Sequence, residues 1–155
     1  MAETTENNKS TGRLLEELME AQSFSEFEAE NTENMTGKQF TEYLGELCEK
    51  KGVSRSELVR RSCIERTYAY QIIRGIRQPA RDKVLQFAVA LALDLDDTQR
   101  LLKTANKGEL YPRIRRDAAL IFCITHGMEL PAVQQFLFDL GEEPLSSETK
   151  GADQA

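Results

Sequence analysis

Tryptophan is absent, aromatic residues make up 7% of the 155 positions, and histidine occurs once. A core without tryptophan has to be compact and aliphatic, and a hydrophobic content of 40% is enough to build one. No run of 18 apolar residues occurs, so no membrane span is expected. The segment Met1 to Ser10 is polar and acidic and lacks the apolar stretch of a signal peptide, which makes the cytoplasm the expected location. Cys48, Cys63 and Cys123 fit neither a disulfide framework nor a CxxC metal motif, so buried free thiols are expected. No P-loop, no GxGxxG and no cluster of metal ligands is present. The lone histidine, His126, stands before Gly127 at a helix end, where a cation suits the dipole, and has no nucleophile or carboxylate at a catalytic spacing. Arg113, Arg115, Arg116 and Asp117 read as a local ion pair of modest worth at a helix start, with Pro112 as initiator, and not as a catalytic centre. The chain is therefore not expected to be an enzyme, nor to hold a metal or other cofactor.

The net charge of −6 argues against a nucleic-acid partner until its distribution is read. Residues 1–35 carry nine acids and two bases, residues 36–82 ten bases and six acids, and residues 83–155 eight bases and eleven acids. A local basic face decides nucleic-acid binding, not the total. The basic block lies in the middle of the chain.

Apolar spacing predicts helices throughout, with no strand alternation and no internal repeat, so the fold class expected is all-α. Residues 1–11 are polar enough to be disordered. Arg13 to Glu20 reads as a short amphipathic helix through Leu14, Leu15, Leu18 and Met19, with Phe24 and Phe27 extending the pattern and Glu28 to Met35 as a polar linker. Thr36 is the expected N-cap of a helix whose inner face is Phe40, Tyr43, Leu44, Leu47 and Cys48 and which ends at Gly52. Ser54 and Glu57 form a capping box for the next helix, with Leu58 and Val59 inward. Glu65 to Arg74 follows, with Ala69 and Ile72 inside and Gly75 as the stop. Arg81 to Leu93 carries Val84, Leu85, Ala88, Leu91 and Ala92 inward, and Asp96 or Asp97 caps a short helix from Thr98 to Ala105. Arg115 to Thr125 is expected to bury Ala118, Ile121 and Phe122, and Leu130 to Leu140 to bury Val133, Phe136, Leu137 and Leu140. The organisation expected is an acidic arm with a short helix over 1–35, a central domain over 36–106, a helical extension over 107–145 and a disordered tail over 146–155.

The stretch from Ser54 to Pro79 is the most specific. Two short helical patterns are joined by a tight connection, and six arginines fall between Arg55 and Arg77. Glu57-Leu58-Val59, Ala69, Ile72 and the ending Ile-Ile-Arg-Gly-Ile-Arg-Gln-Pro resemble the lambda-repressor-like, Cro/cI or XRE-type family of bacterial and phage regulators, over about residues 38–106. The resemblance implies a five-helix domain, here with an N-terminal amphipathic helix and a C-terminal helical hairpin added. It implies that the second and third helices bind double-stranded DNA. Arg66, Thr67 and Gln71 match the outward positions that read bases: arginine pairs with guanine, glutamine with adenine, and threonine offers a hydroxyl or a methyl contact. Ser54, Arg55, Tyr68, Arg74, Arg77 and Arg81 are the expected backbone contacts. Cys63 stands where the family turn commonly has glycine. If the turn keeps a positive φ, that departure costs on the order of 1 kcal/mol. Val59 replaces a small residue at the helix contact, and Ile73 replaces an acid.

Tyr70 and Ile73 occupy a face that is normally polar in such domains. One expectation is that Tyr111 to Leu140 folds back as a hairpin over them; the other is that Tyr70 meets a phosphate and Ile73 a thymine methyl. The hairpin, through Phe136, Leu137, Phe138 and Leu140, is the candidate surface for a homodimer or a protein partner, and the acidic N-terminal arm is a second. The sequence thus leaves two readings open, a DNA-binding transcriptional regulator and an interaction module such as an antitoxin or adaptor on the same fold.

Overall fold

The computed structural model describes residues 9–31 and 39–145, and the chain divides into two compact units, residues 1–38 and 39–155. Every regular element among the described residues is a helix. The expectations for Thr36 as a cap, for disorder over residues 1–8 and for the tail over 146–155 lie outside the described residues, whereas residues 9–11, also expected to be disordered, are ordered: Lys9 is ion-paired, Ser10 caps a helix and Thr11 begins it.

The first unit holds α1 (Thr11–Glu20) and α2 (Phe24–Glu30). Ser10 caps α1 by accepting from the Arg13 amide at 3.1 Å, and Ser23 caps α2 from Glu26 at 3.3 Å. The supposed linker therefore begins as helix, because Ser23 supplies a start signal between the two apolar groups. Lys9 Nζ donates to Glu17 at 2.8 Å and to Asn31 at 2.7 Å, tying the two ends of this unit together. Phe27 is buried, whereas Leu15, Leu18, Met19 and Phe24 are exposed.

The second unit holds seven helices among its described residues: α3 (Phe40–Lys51), α4 (Arg55–Ser62), α5 (Arg66–Ile73), α6 (Arg81–Ala90), α7 (Leu95–Thr104), α8 (Arg115–Thr125) and α9 (Leu130–Asp139). The central helix α6 is buried from Lys83 to Ala90 and packs against α4, α7 and α9. Leu58, Ala69, Ile72, Val84, Leu85, Phe87, Leu101 and Leu102 form the centre of one aliphatic core. Ala92 is not part of it: it is exposed, at φ 55°, and closes the turn after α6 with its amide on Val89 O. Asp94, not Asp96 or Asp97, caps α7, which starts earlier than expected; its carboxylate accepts from the Asp97 amide at 2.8 Å.

The hairpin α8–α9 folds back, as expected, but onto α6 and α7. Ile73 is buried by the core and by α3, beside Thr41 and Leu44. The inner face of α8 is Asp117, Leu120, Cys123 and Ile124, so Phe122 is exposed and Ala118 and Ile121 are only partly covered. The expected apolar stripe is rotated because a buried carboxylate takes one of the inward positions.

That carboxylate is held by a crossed pair of ion pairs. Arg81 Nη1 and Nη2 donate to Asp117 at 3.0 and 2.9 Å, and Arg116 Nη1 and Nη2 donate to Asp82 at 3.2 and 3.1 Å. Each acid sits in the first turn of its own helix, where the dipole also favours it. Burial alone would raise the Asp117 carboxyl, but the Arg81 guanidinium and the Tyr111 amide outweigh it and hold the group below the ordinary range. Asp117 thus pairs with a distant arginine and not with its sequence neighbours. Two glutamines pin the connecting segments in the same way: Gln99 exchanges two hydrogen bonds with Leu110, and Gln134 two with Leu145.

Candidate nucleic-acid interface

The unit α4–turn–α5 is built from caps at each end. Ser54 Oγ accepts from the Glu57 amide at 3.2 Å. The return half of the expected capping box is not made. The Glu57 carboxylate instead accepts from Arg61 and Arg60, and those hydrogen bonds hold it below the usual carboxylate range. Glu65 caps α5 by accepting from Tyr68 N at 2.9 Å and Thr67 N at 3.0 Å, which likewise lowers its carboxyl.

Between the helices Cys63 adopts φ 60°, ψ 21°. The turn therefore keeps the left-handed conformation that favours glycine, and the cysteine is exposed, contrary to the buried thiol expected; Cys48 and Cys123 are buried, and burial pushes both of those thiols up. Buried Ser62 completes the turn: its hydroxyl donates to Val59 O at 2.9 Å and accepts from Ile64 N at 3.2 Å. Gln86 of α6 donates to Ser62 O at 3.0 Å, satisfying a carbonyl at the α4 C-terminus. Neither Ser62 nor Gln86 carries a sequence signal for this role, since a lone serine and a lone glutamine in helical patterns read as ordinary.

The inner face of α5 is Tyr68, Ala69, Ile72 and Ile73. Its outer face presents Arg66 and Thr67 fully and Gln71 in part. These three line one shallow depression together with Tyr70, Arg74 and Ile76. The Arg66 guanidinium lies 5.8 Å from the Tyr70 ring centroid, which gives Tyr70 a partner other than the hairpin. Ser54 and Arg55 border a neighbouring depression with Thr41, Glu49 and Ile73.

Two of the expected backbone contacts are corrected. Tyr68 is buried, with the Arg77 guanidinium 4.8 Å and the Lys83 ammonium 5.9 Å from its ring centroid, so it is a packing residue. Arg81 is committed within the chain: besides Asp117, it donates from Nε to Gly108 O and from Nη2 to Glu109 O, both at 2.9 Å. Adjacency in sequence gave no sign of either, because the Arg81 pairing depends on which helix α8 meets and the burial of Tyr68 on how α5 packs against the start of α6.

Residues 39–101 match the family model of a helix-turn-helix domain. The match covers α3 to the middle of α7 and includes the α4–α5 unit. No curated protein and no solved structure matches the chain significantly. The matched segment is continued by a hairpin that packs onto α6 and α7. The domain is of a kind that binds DNA. Among the described residues no helix is long and apolar enough to cross a membrane. His126 closes α8 with its ring against Phe122, centroids 4.0 Å apart, and its Nδ1 2.8 Å from Phe122 O, where it donates to the helix-end carbonyl.

Proposed function

We propose that this chain is a sequence-specific transcriptional regulator of the lambda-repressor-like, Cro/cI or XRE type, working in the bacterial cytoplasm and reading the major groove of double-stranded DNA with α5. The observation that carries the reading is the shared depression of Arg66, Thr67 and Gln71 on the outer face of a helix whose other face is locked in the core. Arg66 has the fork geometry for a guanine edge, Gln71 the amide for adenine, and Thr67 a hydroxyl and a methyl. Ser54 and Arg55 at the start of α4, with Arg74 and Arg77 after the reading helix, contact phosphates and set the register. The protein performs no chemistry on its target and needs no cofactor.

The test is a genomic DNA pull-down at physiological salt with the wild type beside an Arg66→Ala/Gln71→Ala variant. Wild-type enrichment of a short site, lost in the variant, is the expected result. Binding through three or four phosphates per protomer should weaken with a log–log salt slope of about −3 to −4. No enrichment by either protein overturns the reading.

A second reading, an interaction module on the same fold, is favoured by one observation. The outward side of the hairpin carries Phe122 stacked on Phe136, centroids 5.5 Å apart, and Phe138 is exposed elsewhere on α9. This surface would also serve a homodimer that places two reading helices on successive half-sites.

A further inference from the structure

Ile76 follows the reading helix and is 65% exposed. A single exposed isoleucine is ordinary on a protein surface. This one lies in the same depression as Arg66, Thr67, Gln71 and Arg74. Its backbone is fixed from both sides. The Ile76 and Arg77 amides donate to Gln71 O at 2.9 and 3.2 Å. Gly75 turns the chain at φ 85° with its amide on Ile72 O, and a Cβ there would sit 3.4 Å from Thr41 Cγ2. The Arg77 guanidinium lies 4.8 Å from the centroid of the buried Tyr68 ring. The branched side chain of Ile76 is therefore held outward beside Gln71 and has no route into the core.

We propose that Ile76 is a specificity-determining residue that contacts the C5-methyl group of a thymine, so that the recognised site carries thymine where it faces the C-terminal end of α5. The inference rests on the DNA-binding reading. The occupant follows from chemistry: arginines flank the depression and call for a polyanion, and the thymine methyl is the one apolar feature on a major-groove base edge. The apolar readout expected at Ile73 is thereby assigned to Ile76, since Ile73 is buried.

The experiment takes the site enriched by the wild type and replaces each thymine in turn by deoxyuridine, which deletes only the methyl. Wild type and Ile76→Ala are titrated against each duplex, with thermal melting as a check that the variant is folded. At one position the wild type should lose about four-fold in affinity, the worth of one apolar carbon group removed from contact. Ile76→Ala should bind the thymine and uracil duplexes equally at that position. If Ile76→Ala keeps every uracil penalty that the wild type shows, or if no thymine shows one, the inference is overturned and DNA binding is left standing. A wild type that selects no site overturns both.

Discussion

Replacing Cys63 by glycine should stabilise the protein. The residue stands in the left-handed region at φ 60°, ψ 21°, at the turn between α4 and α5. A Cβ in that conformation costs about 1–2 kcal/mol. Glycine removes the cost but enlarges the unfolded ensemble, which gives back about 0.4–1 kcal/mol. Since the cysteine side chain is exposed, little burial is lost. The net gain is about 0.5–1 kcal/mol, which for a unit of this size raises the melting temperature by about 3 °C. Cys63→Ala is the control, because it deletes the sulfur and keeps the Cβ. Both variants are followed by circular dichroism under reducing conditions. The turn is also held by Ser62 and Gln86, so the orientation of α5 and the affinity for DNA should change less than two-fold. A Cys63→Gly protein that melts at or below Cys63→Ala refutes the argument that the Cβ strains this turn.

Two further predictions concern packing. Asp117 has a folded pKa below its unfolded one, so its contribution is fully present above the unfolded value and is lost as pH falls through the folded value. The stability difference between the wild type and Asp117→Asn should hold constant from pH 7 to 5 and shrink below about pH 4; a gap that widens on acidification contradicts the assignment. Ile73→Glu places a carboxylate against α3 and should cost about 3 kcal/mol in urea unfolding, whereas unchanged stability would show that the face is not covered.

The helices were legible where an apolar face was continuous. Phe40, Leu44, Leu47 and Cys48 alternate with charged residues at the helical period, and the same residues are buried in α3. The cap of α4 was half legible: Ser54 acts as read, but Glu57 has two arginines within one turn, and a charge-assisted bond to each outcompetes the single return bond to a backbone amide. The inner face of α8 is not legible from hydrophobicity alone, because buried Asp117 takes one of its positions. Asp117 goes inward only because Arg81 arrives from a segment 36 residues earlier, and no local pattern carries that information.

The helical class, the placement of the two short helices and the outward set Arg66, Thr67 and Gln71 were legible in the sequence, which left the conformation of the turn at Cys63 open. Those features are encoded in residues within one or two turns of each other, where periodicity, caps and backbone preference act. Only contacts between distant segments commit Arg81 to Asp117 and bury Tyr68. Tertiary packing also seats the hairpin on α6 and α7 and leaves Ile76 in one depression with Arg66, Thr67 and Gln71. Those outcomes depend on which distant groups meet, and a buried carboxylate or an arginine with four donors engaged is settled by the partner that satisfies it.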